Sequence, residues 1–394
     1  LSPDYPLYFS QYGINGTANY ISRAGAIGAV GGDIMSSHYN PAGLGLYKKS
    51  EISFSSGINF NFNDSDIEGI STNDNRTSFN YGNFGMVGTI KTGSKGLKYM
   101  QFSFGVNKLR NFSNRMKMVR ENVGSSFVND VVMDAIVNNN DAKNDFIKAG
   151  VVVLDSGIIS SIYESGTFGQ IKSIKETGYL TEMSFSFSGN VDDRVYFGAT
   201  LGIPLGYYKS TSMFAETRFD AAGNDNGYYT YNEVQELSVT GVNLKLGAIF
   251  KPLDFLRIGA AIHTPTYYYV QDDYCSEVAY NRRSGSVAPT FEYDIQTPFR
   301  FLGNIALVFG NNKSAIGGTI SADYEYADYS SMKYRMDDDI MYETTINQEI
   351  ENLYRAAHTF RLGGELKLGM IALRAGYAYM GNPYQEPNDA ALNC

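Results

Sequence analysis

From Glu51 the chain alternates: Ile52, Phe54, Ile58, Phe60 and Phe62 take one parity, and Ser53, Ser55, Gly57, Asn59 and Asn61 take the other. A strand sends successive side chains to opposite faces, so this pattern predicts a strand with one greasy face and one small or polar face. It returns at Met100, Phe102, Phe104 and Val106, and again at Met183, Phe185 and Phe187. Further copies occupy 195–203, 242–250, 256–262, 299–309, 316–326, 360–368 and 371–379, with a weaker one over 79–91. The count is about eleven strands.

The side on which charges fall separates a membrane barrel from a soluble sandwich. Lys245, Arg257, Arg300, Arg361, Glu365, Lys367 and Arg374 all sit on the polar parity. A lipid-facing exterior imposes this, because a charge there costs about 2 to 4 kcal/mol at the bilayer midplane. The connections give a second argument, since short ones (91–96, 190–194, 251–254, 310–314, 367–370) alternate with long ones (63–77, 109–179, 209–234, 271–297, 330–357). Bacterial barrels keep tight turns at the periplasmic rim and long loops outside, which orients the chain. The fold class expected is all-β, a transmembrane antiparallel β-barrel.

The connection 109–179 is too long to lack structure. It holds an amphipathic candidate helix over 127–137 and an apolar stretch over 151–162. The simpler reading is a loop packed on itself over the barrel mouth. The functional reading is a landing surface for a hydrophobic ligand, with Val151, Val153, Leu154 and Ile158 as candidate contacts.

Composition supports strands and turns: 41 Gly and 31 Tyr stand against 10 Pro and no Trp. Purely apolar stretches such as 151–154 fall far short of the roughly 20 residues a spanning helix needs. A net charge of -9, with no run of Lys and Arg, argues against a nucleic-acid partner. Cys275 and Cys394 form neither a metal-ligand spacing nor a CxxC, and no metal or cofactor is expected. The chain opens at Leu1 without a basic or apolar leader, as expected of an exported product after processing. The three histidines, His38, His263 and His358, lie in no nucleophile or HExxH motif, so an enzyme is not expected.

Residues 1–50 do not alternate. Their Gly- and Ala-rich run from Gly16 to Asp33, followed by Tyr39-Asn40-Pro41-Ala42-Gly43, suits a compact segment packed inside a lumen. A phosphate-loop reading fails, because neither GxxxxGK[ST] nor GxGxxG is present.

This segment resembles the N-terminal hatch of the FadL-type family of outer-membrane transporters for fatty acids and other hydrophobic compounds, with Asn40, Pro41 and Ala42 as the signature. Thr297-Pro298-Phe299-Arg300, Ser321-Ala322-Asp323-Tyr324-Glu325-Tyr326 and Leu373-Arg374-Ala375-Gly376-Tyr377 resemble the version of that family also described as hemin receptors. The resemblance implies a fourteen-stranded barrel in the bacterial outer membrane, a hatch over residues 1–50 inside a barrel over 51–394, and hydrophobic ligands, detergent or lipid as partners. It also implies lateral release through a kinked third strand. Gly105 is the candidate for that opening, against a reading in which it only makes room for the hatch. Two alternatives stand beside transport: a non-transporting barrel that anchors a protein partner in an envelope assembly, and haem binding through His38 or His263. Asp323, Arg361, Glu365 and Arg374 are expected to pair across neighbouring strands, with carboxylate binding by Arg361 or Arg374 as the alternative. Eleven strands that start at the periplasmic side end outside, whereas single-chain bacterial barrels have an even number, so either the count is wrong by an odd number or strands beyond residue 394 are missing, of which the resemblance implies three.

Overall fold

The computed structural model describes residues 1–138, 144–155, 158–163, 166–220, 223, 225–310, 316–336 and 339–385. Eleven strands form one antiparallel meander in which each pairs with the next: β1 (Glu51–Ile67), β2 (Ile70–Lys91), β3 (Leu97–Asn111), β4 (Thr167–Val191), β5 (Val195–Phe219), β6 (Asp225–Leu253), β7 (Leu256–His263), β8 (Arg300–Phe309), β9 (Ile316–Asp328), β10 (Ala356–Leu368) and β11 (Ile371–Met380). The sheet curls around residues 1–50. Its edges, β1 and β11, run in the same direction and do not pair with each other among the described residues.

Burial is inverted relative to a soluble protein. Phe54, Phe62 and Ile258 are exposed, while Gln101, Ser184, Thr200 and Lys245 are buried. Large apolar side chains on the outer face of nearly every strand would be unfavourable in water at about 25 cal/mol per Å². A hydrocarbon surrounding removes that cost, and the polar inner face is left to line a lumen. Among the described residues no helix is long and apolar enough to cross a membrane.

The weak alternation over 79–91 has a local cause. Ser55 pairs with Asn83 and Ser56 with Tyr81, so Gly82 is an extra residue in β2. This bulge moves the outward parity from Phe79 to Phe84 and Met86. A side chain at Gly82 would lie 2.3 Å from the Gly16 carbonyl oxygen, so glycine allows residues 1–50 to approach the wall there.

Two connections expected to be long are strands. β1 and β2 continue into a tight hairpin turning at Glu68 and Gly69, and β5 and β6 extend to Phe219 and Asp225. Above the lipid belt the outer face no longer has to be apolar. Ladder pairing therefore persists through Asn, Asp, Ser and Glu after the hydrophobic period has faded. The connection after β3 carries a strand at Asn114–Val123 that pairs with β4, a helix at Phe127–Asn138 where one is expected, and a small hairpin of Val152–Asp155 with Ile158–Ser161. Cys275 is exposed on the extracellular strand Tyr267–Tyr280, and Cys394 lies outside the described residues.

Candidate functional site

The lumen is built in three tiers. The lowest is the seat of the Asn-Pro-Ala turn. Asn40 caps a 3-10 helix (Pro41–Leu46), accepting from the Ala42 N–H at 3.2 Å, and Pro41 fills the first helical position, where no N–H is required. Asn40 also donates to the Gly28 carbonyl at 3.0 Å and to Asn304 of β8 at 3.1 Å. Added side chains at Gly198 of β5 and Gly247 of β6 would meet Pro41 and Asn40 at 2.4 and 2.0 Å, so the wall is notched where the turn sits. Nearby, the Gly28 N–H donates to Asp323 of β9 at 2.8 Å. Asp33 braces the segment internally by accepting from Thr17, Asn19 and the Met35 N–H.

The middle tier is charged. Glu182 of β4 takes Lys245 of β6 and, at 3.0 Å, His38 from the helix Ser36–Tyr39. Burial and the neighbouring Lys245 push the His38 imidazole below its ordinary value, so it is neutral and donates through Nδ1. Glu325 of β9 bridges Arg300 of β8 and Arg361 of β10, the latter at 2.8 Å. Arg361 also donates to the Tyr39 hydroxyl at 2.5 Å, and His263 Nε2 donates to the Tyr39 carbonyl at 2.9 Å. The rings of His38 and His263 are 6.4 Å apart. His38, Tyr39, His263, Arg300, Glu325 and Arg361 border a cavity of 380 Å³ that reaches Asn59 of β1 and Met380 of β11.

The upper tier is apolar. A short helix, Tyr5–Ser10, places Leu7 and Phe9 among inward residues of six wall strands and the extracellular hairpins, including Leu109, Leu180, Tyr208, Leu237, Tyr268 and Ile295.

The candidate residues fall in different places. Asn40, Pro41 and Ala42 are together in the seat, and Arg361 lines the cavity. Arg374 of β11 lies in register with Glu365 and pairs with it at 2.5 Å, and Arg23 reaches the same carboxylate at 2.8 Å. Asp323 lies opposite Arg361 in register, but its carboxylate takes the Gly28 N–H while Arg361 turns to Glu325. Val151 is buried in a separate extracellular cluster with Val128, Phe146 and Tyr229, and Val153, Leu154 and Ile158 face outward, so the structure does not bring these four to the cavity. Gly105 pairs in register with Gly85 and Ser184, and its missing side chain leaves room for Ser184, which meets Ser37 at 3.2 Å. The interruption lies just beyond it: the β2–β3 ladder stops at Asn83 and Asn107, and the β3–β4 register slips between Lys108 and Arg110. Sequence reasoning missed Glu182. Its signal in the sequence is a carboxylate on an inward parity, which demands a buried cation.

No family model matches the sequence, and no curated protein does. Among solved structures, the Pseudomonas putida toluene transporter TodX superposes with a TM-score of 0.51 at 12% identity, covering 94% of this chain and 84% of TodX. A TodX deltaS2S3 mutant, described as a monoaromatic hydrocarbon channel, gives 0.50 at 13% identity over 95% and 85%. The fold is the FadL type. Within this FadL-type fold the wall accounts for eleven strands of a β-barrel, and residues 1–50 lie on its inner face. CymD, another monoaromatic hydrocarbon channel, superposes at 0.49 with 11% identity over 94% of this chain and 85% of its own.

Proposed function

We propose that this chain takes up hydrophobic small molecules, fatty-acid-like or aromatic, across the bacterial outer membrane. The observation that carries the reading is the apolar upper chamber around Leu7 and Phe9, which stands above the seated Asn-Pro-Ala turn on the inner face of a lipid-exposed wall. Burial of a ligand's apolar surface there supplies affinity at about 0.8 kcal/mol per methylene. Residues 1–50 act as the hatch, closing the straight path below that chamber. Val153, Leu154 and Ile158 offer an apolar landing surface on the outside. Release is lateral, and the interrupted pairing beyond Asn107 supports an exit through β3, close to Gly105.

Toluene uptake into vesicles containing the protein tests this. Uptake is expected to exceed that of protein-free vesicles. It should fall when Tyr81→Cys and Lys108→Cys are joined across the break by a reducible bifunctional thiol reagent, the Lys108 ammonium now lying 5.0 Å from the Tyr81 ring centre, and recover on reduction. Uptake equal to that of empty vesicles refutes transport, and uptake unaffected by the formed tie refutes the lateral exit.

A further inference from the structure

The middle tier carries chemistry that hydrophobic cargo alone does not need. Three guanidinium groups, Arg110, Arg300 and Arg361, line the 380 Å³ cavity against one carboxylate, Glu325, which leaves an excess of two positive charges on its wall. Arg110 finds its hydrogen bonds at the backbone carbonyls of Tyr8, at 3.0 Å, and Gln11, at 3.5 Å. Arg361 is buried, and its Nε has no hydrogen-bond partner. Arg300 and Arg361 share the single Glu325 carboxylate, and a second carboxylate entering here gains charge-assisted bonds that a hydrocarbon cannot make.

Amides such as Asn15, Asn59 and Asn111 share the rest of the wall with tyrosines, which outnumber the aliphatic contacts Ile14, Ala357 and Met380. Tyr12, Tyr20 and Tyr39 line it, with the Arg300 guanidinium 4.5 Å from the centre of the Tyr12 ring and that of Arg361 5.0 Å from Tyr39. Its volume is near the lower end of the roughly 300 to 1,000 Å³ usual for small-molecule sites, which suits one ring rather than a long alkyl chain.

We infer that the middle-tier cavity is a binding site for a single-ring aromatic carboxylate, its ring among the tyrosines and its carboxylate against Arg361 and Arg110. The inference rests on the uptake reading and narrows it: the ligand is an acid, selected over neutral hydrocarbons of the same size.

Isothermal titration of the full chain in detergent with sodium benzoate, sodium acetate and toluene tests it. Benzoate is expected to bind more tightly than either of the others. Arg361→Gln should weaken benzoate at least tenfold. Because that change also removes one partner of Glu325, Arg110→Gln, which gives up bonds to backbone carbonyls and its place over the Tyr8 and Phe112 rings but no bond to Glu325, is the second variant. It should weaken benzoate severalfold and toluene by a smaller factor. Benzoate bound no more tightly than toluene, and indifferent to Arg110→Gln, overturns the inference and leaves hydrophobic uptake standing. Acetate bound as tightly as benzoate overturns the aromatic class. Binding of neither benzoate nor toluene overturns this inference and the uptake reading together.

Discussion

Asn40→Ala should unseat residues 1–50, the proposed hatch, without unfolding the wall. Asn40 is fully buried and makes three hydrogen bonds: to the Gly28 carbonyl, to the Asn304 side chain and from the Ala42 N–H. Its loss as a helix cap costs about 1 kcal/mol. The Gly28 carbonyl and the Asn304 amide oxygen are then left buried without a donor, at about 1 to 3 kcal/mol each. Partial rescue by water entering the seat brings the expected total to about 3 to 5 kcal/mol. At about 1.4 kcal/mol per tenfold, the opened hatch should be populated roughly a hundred to a few thousand times more often. Hydrogen exchange followed by mass spectrometry reads this directly, because amides over 26–46 should speed up by that factor while those of β4 to β6 keep their protection. Unchanged exchange over 26–46 would refute the idea that this seat holds the hatch.

Glu182→Gln leaves Lys245 buried without a counter-charge and should lower stability to urea by about 3 to 5 kcal/mol, whereas Lys209→Met, which breaks a half-exposed pair with Glu236, should cost under about 1 kcal/mol. Leu246→Arg on the lipid face should cost about 2 to 4 kcal/mol in refolding titrations into lipid, and Tyr228→Arg at the extracellular tip about 0 to 1 kcal/mol; equal costs would contradict the orientation of the wall. Because His38 is held below its ordinary pKa when folded, the unfolded chain binds more protons. The stability of the seat should therefore be full above about pH 6.5 and decline as pH falls below it, and protection over 26–46, taken relative to the intrinsic exchange rate at each pH, should fall between pH 7 and 5 in the parent but not in His38→Gln.

The wall was legible because a period of two, with charges confined to one parity, fits little besides a sheet that faces lipid on one side and water on the other. Strand positions came through wherever the lipid belt enforced alternation, as at Val242 to Phe250. They were lost where that demand lapses, above Asn63 and Lys209, and where Gly82 shifts the parity. The Asn-Pro-Ala turn stood out through its resemblance to the FadL-type hatch, and that Asn40 caps and Pro41 starts a helix there is seen only in the structure. The charged tier was only half visible. Lys245 and Arg300 could be placed on the inner face, but Glu182 meets Lys245 across an intervening strand and His38 from a separate segment, and no spacing encodes such distances. Of the four charges expected to pair across neighbouring strands, Arg374 lies against Glu365, whereas Arg361 turns to Glu325 and Tyr39 and Asp323 takes the Gly28 N–H.

The notched seat has a consequence in time. Gly28 bonds to a residue 295 positions later in the chain, Asn40 to one 264 positions later, and the glycines that admit Pro41 and Asn40 belong to β5 and β6. Contacts of such separation cannot hold until the chain between them is ordered, because closing so long a loop carries a large entropic cost with little local gain. The segment first in the sequence is thus the last to settle. Until the wall has curled, Leu7, Phe9 and the glycine-rich run remain uncovered, and the interval between wall formation and docking is the period in which this chain is most open to aggregation or to a chaperone.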